Sequence, residues 1–355
     1  MTFQTIVNNA VFPPVVYGET TDTTVAASNT TIINNAISDL SANGGGVVGL
    51  LEGIVTITGD GTASNGAIRL QDNVTVEGQG VGVSVLKLID QYSDAASAHK
   101  ITGLVRTPSG VKTKNAGIKN LTIDGNRQKQ TLAIDTITFS GTTATVTTSV
   151  AHGLATNDEV VIDGASEEEY NVIVPSSDDN NDGIVVTGDT TFTYVMDGTP
   201  ASNAVAQLSY IARNHRGRQV ITSITFSGTT ATVTTSAAHN LADSDIVVIM
   251  GASDQLYNGD KEITVTGAST FTYSLASEPA SNAVAGLTYT GTQDGFYCGV
   301  TPASAEKDDN IFVFNCEIKN MTHYGLDPHE QTLHFQANNN LFWNNVLDRD
   351  WETPQ

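Results

Sequence analysis

Basic residues are scarce in this 355-residue chain. Sixteen Lys and Arg stand against 38 Asp and Glu, a formal net charge of -22, and only 15% of residues are charged at all. An acidic surface of this kind repels nucleic acid and anionic membranes, so neither is an expected partner. Long apolar runs are missing too, since no segment approaches the roughly 18 to 20 residues that cross a bilayer, and membrane insertion is not expected. The opening segment, MTFQTIVNNAVFPPVVYGE, has no basic block followed by an apolar core. No N-terminal signal peptide is seen, and export would need another route. The two cysteines, Cys298 and Cys316, fit neither a zinc knuckle nor a redox pair. They are expected as buried free thiols, which pack as small hydrophobes.

What remains is a chain 39% apolar, enough for real cores. Its short β-branched runs lie between Gly, Asn, Thr and Ser, the pattern of an all-β fold. One exception stands at 29–43, NTTIINNAISDLSAN, where Ile33, Ala36, Ile37 and Leu40 share a helical face. Asn29 or Thr30 is the expected N-cap and Gly44 to Gly46 the terminator.

Internal repeats decide the architecture. ITFSGTTATVTTSVA at 137–151 returns at 224–238, followed by His152 and His239 and by Tyr170-Asn171 and Tyr257-Asn258, all at an offset of 87. The offset then falls to 79 for FTY (192–194, 271–273) and ASNAVA (201–206, 280–285), so the first copy carries eight extra residues, expected in the acidic stretch 175–183. Alternation such as ATVTT suits a small β-sandwich. The modules resemble those of phage and other virion proteins. The paired histidines are expected to be structural.

Without the modules, the flanks show a second pattern. IKNLTIDGN at 118–126 and CEIKNMTHYG at 316–325 are versions of one segment, Leu341 follows Ile318 by 23 residues, and VEGQG precedes IKNLT by about twice that. A period near 23 means coils of a parallel β-helix, about six of them, with asparagines laddering at the turns. The expected division is an N-terminal extension at 1–28, a discontinuous β-helix at 29–130 and 291–355, and inserted modules at 131–217 and 218–290.

The densest polar constellation is HYGLDPHEQT at 323–332. Together with NGAIRLQDNVTVEGQGVGVSVLKLID (65–90), ITGLVRTPSG (101–110), IKNLTIDGNR (118–127) and Asp294-Gly295-Phe296, it resembles the catalytic module of the calcium-dependent mannuronan C5-epimerases, a right-handed, pectate-lyase-like β-helix. The resemblance implies an enzyme that converts mannuronate to guluronate within alginate, with β-eliminating alginate lyases as near relatives. Proton removal at C5 needs the neighbouring carboxylate neutralised, a base on one face of the sugar and an acid on the other. By resemblance, Tyr324 and His329 are that pair and Asp327 tunes them. Arg106 and Asp294 match substrate-groove positions, and Asn126, Arg127, Glu330 and Gln331 belong to the matching motifs.

Eight bases between Lys87 and Lys129 face only Asp90, Asp94 and Asp124, a local excess that suits an anionic polysaccharide. Calcium is implied by the resemblance alone. Gly49 and Leu51 stand where the family favours an aromatic residue and a proline. The family carries a further Arg-His element and more coils, whereas this chain stops at RDWETPQ. Two readings therefore stand side by side: a polyuronate-modifying enzyme, active or a truncated remnant, and a glycan-binding phage tailspike or virion protein. The open last coil leaves an edge that a second copy or a virion partner would cap. The expected location is extracellular or virion-associated.

Overall fold

The computed structural model describes residues 10–59, 66–90, 103–127, 132–158, 160–174, 183–207, 209–212, 219–291, 294–298, 307–322, 324–328 and 332–345. They form two compact units, one drawn from residues 1–126 and 292–355, the other from 127–291.

The first unit is a parallel β-helix of three sheets, right-handed as crossovers between parallel strands are. Each sheet is held by an apolar stack in strict register. Val48, Val76, Ile118 and Val313 stack in the first sheet. Val55, Leu86, Ile123, Ile318 and Phe342 stack in the second. Ile68, Val105, Phe296 and Leu326 stack in the third. Nearly all are fully buried, each contributing about 1.5–3 kcal/mol.

Two spacings read from sequence need correction. Phe342, not Leu341, lies beside Ile318, so that coil is one residue longer than the 23-residue spacing. A slip of one residue exchanges inside for outside. Val76 is the immediate neighbour of Ile118, so residues 76–118 make one long coil rather than two. Among the described residues the second sheet accordingly holds five strands, not six.

The helix runs Thr23–Ala42, with Asp22 as N-cap accepting from the Thr24 and Val25 amides. Asn29 and Thr30, the expected caps, are instead buried inside it. Asn29 Nδ2 donates to the Val16 and Thr56 carbonyls, and Thr30 Oγ1 accepts from the Thr58 amide. Polar side chains that looked like end signals are here clamps onto the first coil. Residues 10–28 are therefore part of this unit, with Ala10–Val11 pairing Gly46–Gly49. Gly49 has its reason in the same place, since a Cβ there would lie 2.5 Å from the Phe12 ring.

Asparagines line the corners at positive φ. Asn115 Nδ2 donates to Asn73 and Asn310 Nδ2 to Asn115. A second ladder runs from Asn339 through Asn315 and Asn120 to Glu77. A third runs from Asn344 through Asn320 to Asp124. Left-handed corners favour Asn, and each rung satisfies the one below it.

Three of the bases clustered in sequence are paired with acids from other parts of the chain. Lys87 pairs with Glu19, Lys119 with Glu77 and Lys114 with Asp72, acids lying outside the counted window. Part of the local charge excess along the chain is thus offset across coils. Cys298 and Cys316 are buried free thiols. Burial pushes them up, to about 12 and about 11 respectively. Neither is expected to react with iodoacetamide in the native protein at neutral pH, and both should react in denaturant, as mass spectrometry would read.

In the second unit each module is two antiparallel sheets. In the second module one bulged strand, Gln219–Ser227, serves both sheets. In the first, the equivalent chain is divided into Leu132–Ile134 and Thr136–Ser140. The division at 217/218 does not describe what is seen. Ser209–Ala212, which ends the first repeat, pairs within the second module, against Gln219–Ser227 and Ile246–Met250. Leu287–Gly291, which ends the second repeat, pairs within the first, against Leu132–Ile134 and Val160–Asp163. The repeats have exchanged their last strands, so entry and exit strands lie side by side in one sheet. His152 and His239 are structural as expected: each Nδ1 accepts a backbone amide, from Leu154 and Leu241, and each ring packs edge-on against Phe192 or Phe271. The acidic stretch 175–182 lies outside the described residues.

Candidate active site

The third sheet of the β-helix carries the site. Its strands Ile68–Arg69, Val105–Arg106, Phe296–Cys298 and Leu326–Pro328 place Arg69, Arg106, Tyr297 and Asp327 in one register row. Because Ile68, Val105, Phe296 and Leu326 take the inner side, alternation sends this row outward. Neighbouring members lie about 4.8 Å apart, the strand spacing.

Three residues earlier on the same coils stand Gly66, Gly103, Asp294 and Tyr324, tied by the Leu104 amide to the Asp294 carbonyl and the Gly295 amide to the Tyr324 carbonyl. The two glycines have positive φ and no room for a side chain. A Cβ on Gly66 would lie 2.9 Å from Arg106 Cγ and Cδ, and one on Gly103 would lie 2.7 Å from Tyr297 Cβ. Bare backbone there accommodates the Arg106 stem and Tyr297.

Arg106 is only 3% exposed. Its Nε donates to the Thr107 carbonyl at 2.9 Å, and its guanidinium lies 4.6 Å from the Tyr297 ring centroid, a cation–π stack. The cation therefore leans one coil toward Asp327. Burial pulls its pKa down, while Tyr297, Asp294 and Asp308 hold the charged form. Asp308 is fully buried and accepts from Thr107 Oγ1 and the Thr113 amide, both at 2.7 Å. Burial also raises Tyr297, opposed by Arg106 and assisted by Asp327 and Asp294. Asp294 Oδ1 accepts from the Tyr324 amide at 3.2 Å, which fixes the backbone beneath a side chain that stays 40% exposed. The Arg106 guanidinium thus lies beside Asp294 and Tyr297 on neighbouring coils, with Tyr324 tied to Asp294 through its backbone amide.

Of the residues singled out in the sequence, the fold brings Arg106, Asp294, Tyr324 and Asp327 together. His329, Glu330 and Gln331 lie outside the described residues. Asn126 and Arg127 are placed elsewhere. Asn126 is buried at a corner after Thr122–Asp124, donating to the Leu88 carbonyl and Asp90. Arg127 is buried against Asp163 of the inserted unit. Arg69, Tyr297 and Asp308 were missed. The first had a signal, since Gly-Ala-Ile-Arg at 66–69 and Gly-Leu-Val-Arg at 103–106 are one segment on successive coils. Among the described residues no three His, Cys, Asp or Glu side chains converge as metal ligands. No described helix is long and apolar enough to cross a membrane.

No family model matches the chain. Mannuronan C5-epimerase AlgE6 of Azotobacter vinelandii is 43% identical over 103 residues, 29% of this chain and 11% of that protein. AlgE4, a second mannuronan C5-epimerase of that organism, is 40% identical over 103 residues, 29% of this chain and 18% of its own length. Alginate lyase 7, also from that organism, is 37% identical over 107 residues, 30% and 12% of the two chains. The chain thus spans less than a fifth of each of these three relatives. The solved A-module of AlgE6 gives a TM-score of 0.40 at 19% identity, over 93% of this chain and 49% of that one; the fold rests on the strand register described above.

Proposed function

We propose that this chain, akin over part of its length to mannuronan C5-epimerases, epimerises uronate units within an alginate-like anionic polysaccharide. The observation that supports the reading is that Arg106 and Asp327 stand in one register row, with Asp294 and Tyr324 three residues before it on the same coils and joined by a hydrogen bond. Loss of the C5 hydrogen loads negative charge onto the adjacent carboxylate. Arg106, preorganised by burial and by its stack on Tyr297, offers the compensating cation. Tyr324 and His329 exchange the proton from opposite faces of the ring, and Asp327 tunes that exchange. Glu330 and Gln331 supply hydrogen bonds to sugar hydroxyls. Calcium is implied by the resemblance alone, and no step is routed through it. A polymer of this size places the work outside the cell.

Alginate lyase is the second reading, favoured by the likeness to alginate lyase 7. It needs the same site, differing in whether the C4 oxygen leaves before the proton returns. The named relatives lend the tailspike reading nothing. Incubation with polymannuronate in deuterated water separates the cases. Deuterium at C5 without unsaturated ends is the expected result. Unsaturated ends, read by ultraviolet absorbance, would make it a lyase. Neither signal at high enzyme concentration, with calcium supplied, would end the catalytic reading.

A further inference from the structure

We infer that Arg69 is a second carboxylate-binding residue, holding a uronate beside the one that reacts. The inference rests on the reading above for the polymer's chemistry and on geometry of its own. Arg69 and Arg106 occupy the same register position on adjacent coils. Their strands are short copies of one segment, each entered through a positive-φ glycine, Gly66 or Gly103. Arg69 is thus set outward by the same turn that sets Arg106, with Ile68 and Val105 filling the core beneath.

The Arg69 strand is also held from behind. Asn34 of the helix accepts from the Arg69 amide at 2.9 Å and donates to the Ala67 carbonyl at 2.8 Å. This backbone clamp is what a binding position at the edge of a sheet requires, because an edge strand otherwise frays.

Along the row the order is Arg69, Arg106, Tyr297, Asp327. Tyr324 shares its coil with Asp327, so chemistry belongs at the Asp327 end. The Arg106 guanidinium leans over Tyr297 toward that end. Arg69 stays on the far coil, about three strand spacings, roughly 14 Å, from Asp327. Two cations at different distances from the reacting carbon divide the labour. The nearer neutralises the carboxylate that gains charge, and the farther grips a carboxylate that does not change. Arg69 touches no reacting atom, so it is a specificity residue. Uniform binding of that kind lowers KM and leaves kcat alone. It also makes recognition depend on the polymer having charge at more than one unit.

The test uses the full chain with Arg69→Gln, which removes the charge and keeps a hydrogen-bonding head, and Arg69→Lys, which keeps charge. Two readouts are taken: C5 exchange kinetics on polymannuronate, and calorimetric binding to polymannuronate and to the same polymer with its carboxylates reduced to alcohols. Arg69→Gln should raise KM and Kd on the order of tenfold, the worth of one charge-assisted hydrogen bond, with kcat unchanged. Arg69→Lys should recover most of the loss, and the reduced polymer should bind wild type and Arg69→Gln alike. Unchanged KM and Kd in Arg69→Gln would overturn the inference while leaving epimerisation intact. A wild type that binds through Arg69 yet never exchanges C5 hydrogen would overturn the epimerase reading and keep the carboxylate site. No binding by wild type would remove both.

Discussion

Tyr324→Phe is expected to lower C5 exchange by about 10²–10⁴-fold, the usual contribution of a positioned acid or base. The substitution is a clean one here. The backbone of Tyr324 is fixed by Asp294 on its amide and by Gly295 on its carbonyl, neither of which involves the phenol. The side chain is 40% exposed. Melting temperature should therefore hold while kcat falls. His329→Asn should fall by a similar factor, and the double variant by little more than either alone, because the two act as one device. Full activity in Tyr324→Phe would end the acid–base assignment. Asp294→Asn offers a graded comparison: the amide oxygen can still accept from the Tyr324 amide, so a modest loss is expected.

Arg106→Lys is the second large effect, a fall of about 10²–10³-fold in kcat although the charge is kept. Lysine cannot reproduce three features of this site. It has no planar face to stack on Tyr297, no Nε to donate to the Thr107 carbonyl, and no fork to meet a carboxylate through two hydrogen bonds. Its head would also be more strongly hydrated where Arg106 is almost fully buried. Some loss of thermal stability should accompany the kinetic one, since Asp294 and Asp308 would face a poorer partner. Arg106→Lys with wild-type kcat would show that the site asks only for positive potential, and would remove Arg106 from the role of preorganised electrophile.

Much of this was legible in the sequence because β-helix coils repeat a local rule. The stacks through Val76 and Ile118 and through Ile123 and Ile318 follow from alternation, and the asparagine corners from the need for left-handed backbone. What escaped was whatever depended on coil length. Val76 to Ile118 looked like two turns because nothing local distinguishes a long excursion from an extra coil. The Thr23 start of the helix was hidden because Asn29 and Thr30, good cap residues by type, are spent on Val16, Thr56 and Thr58. The basic cluster is weaker than its sequence count because Glu19, Asp72 and Glu77 pair three of its lysines across coils. In the site, Asp294 and Tyr324 were recognisable by motif. Tyr297 and Asp308 were not, since the one is marked only by register and the other by burial.

The exchanged last strands bear on the order in which the chain becomes structured. Leu132–Ile134 can reach its observed partner, Leu287–Gly291, only after everything between them has been synthesised. Until then Ser209–Ala212 offers the same place in the first module, since it meets Ile246–Met250 in the register that Leu287–Gly291 keeps with Val160–Asp163. The nascent chain thus meets a premature closure that uses equivalent ladders and leaves the far end of the insert on a different module. Only the late-arriving strand returns the chain beside its point of departure. Such a long-range closure is slow.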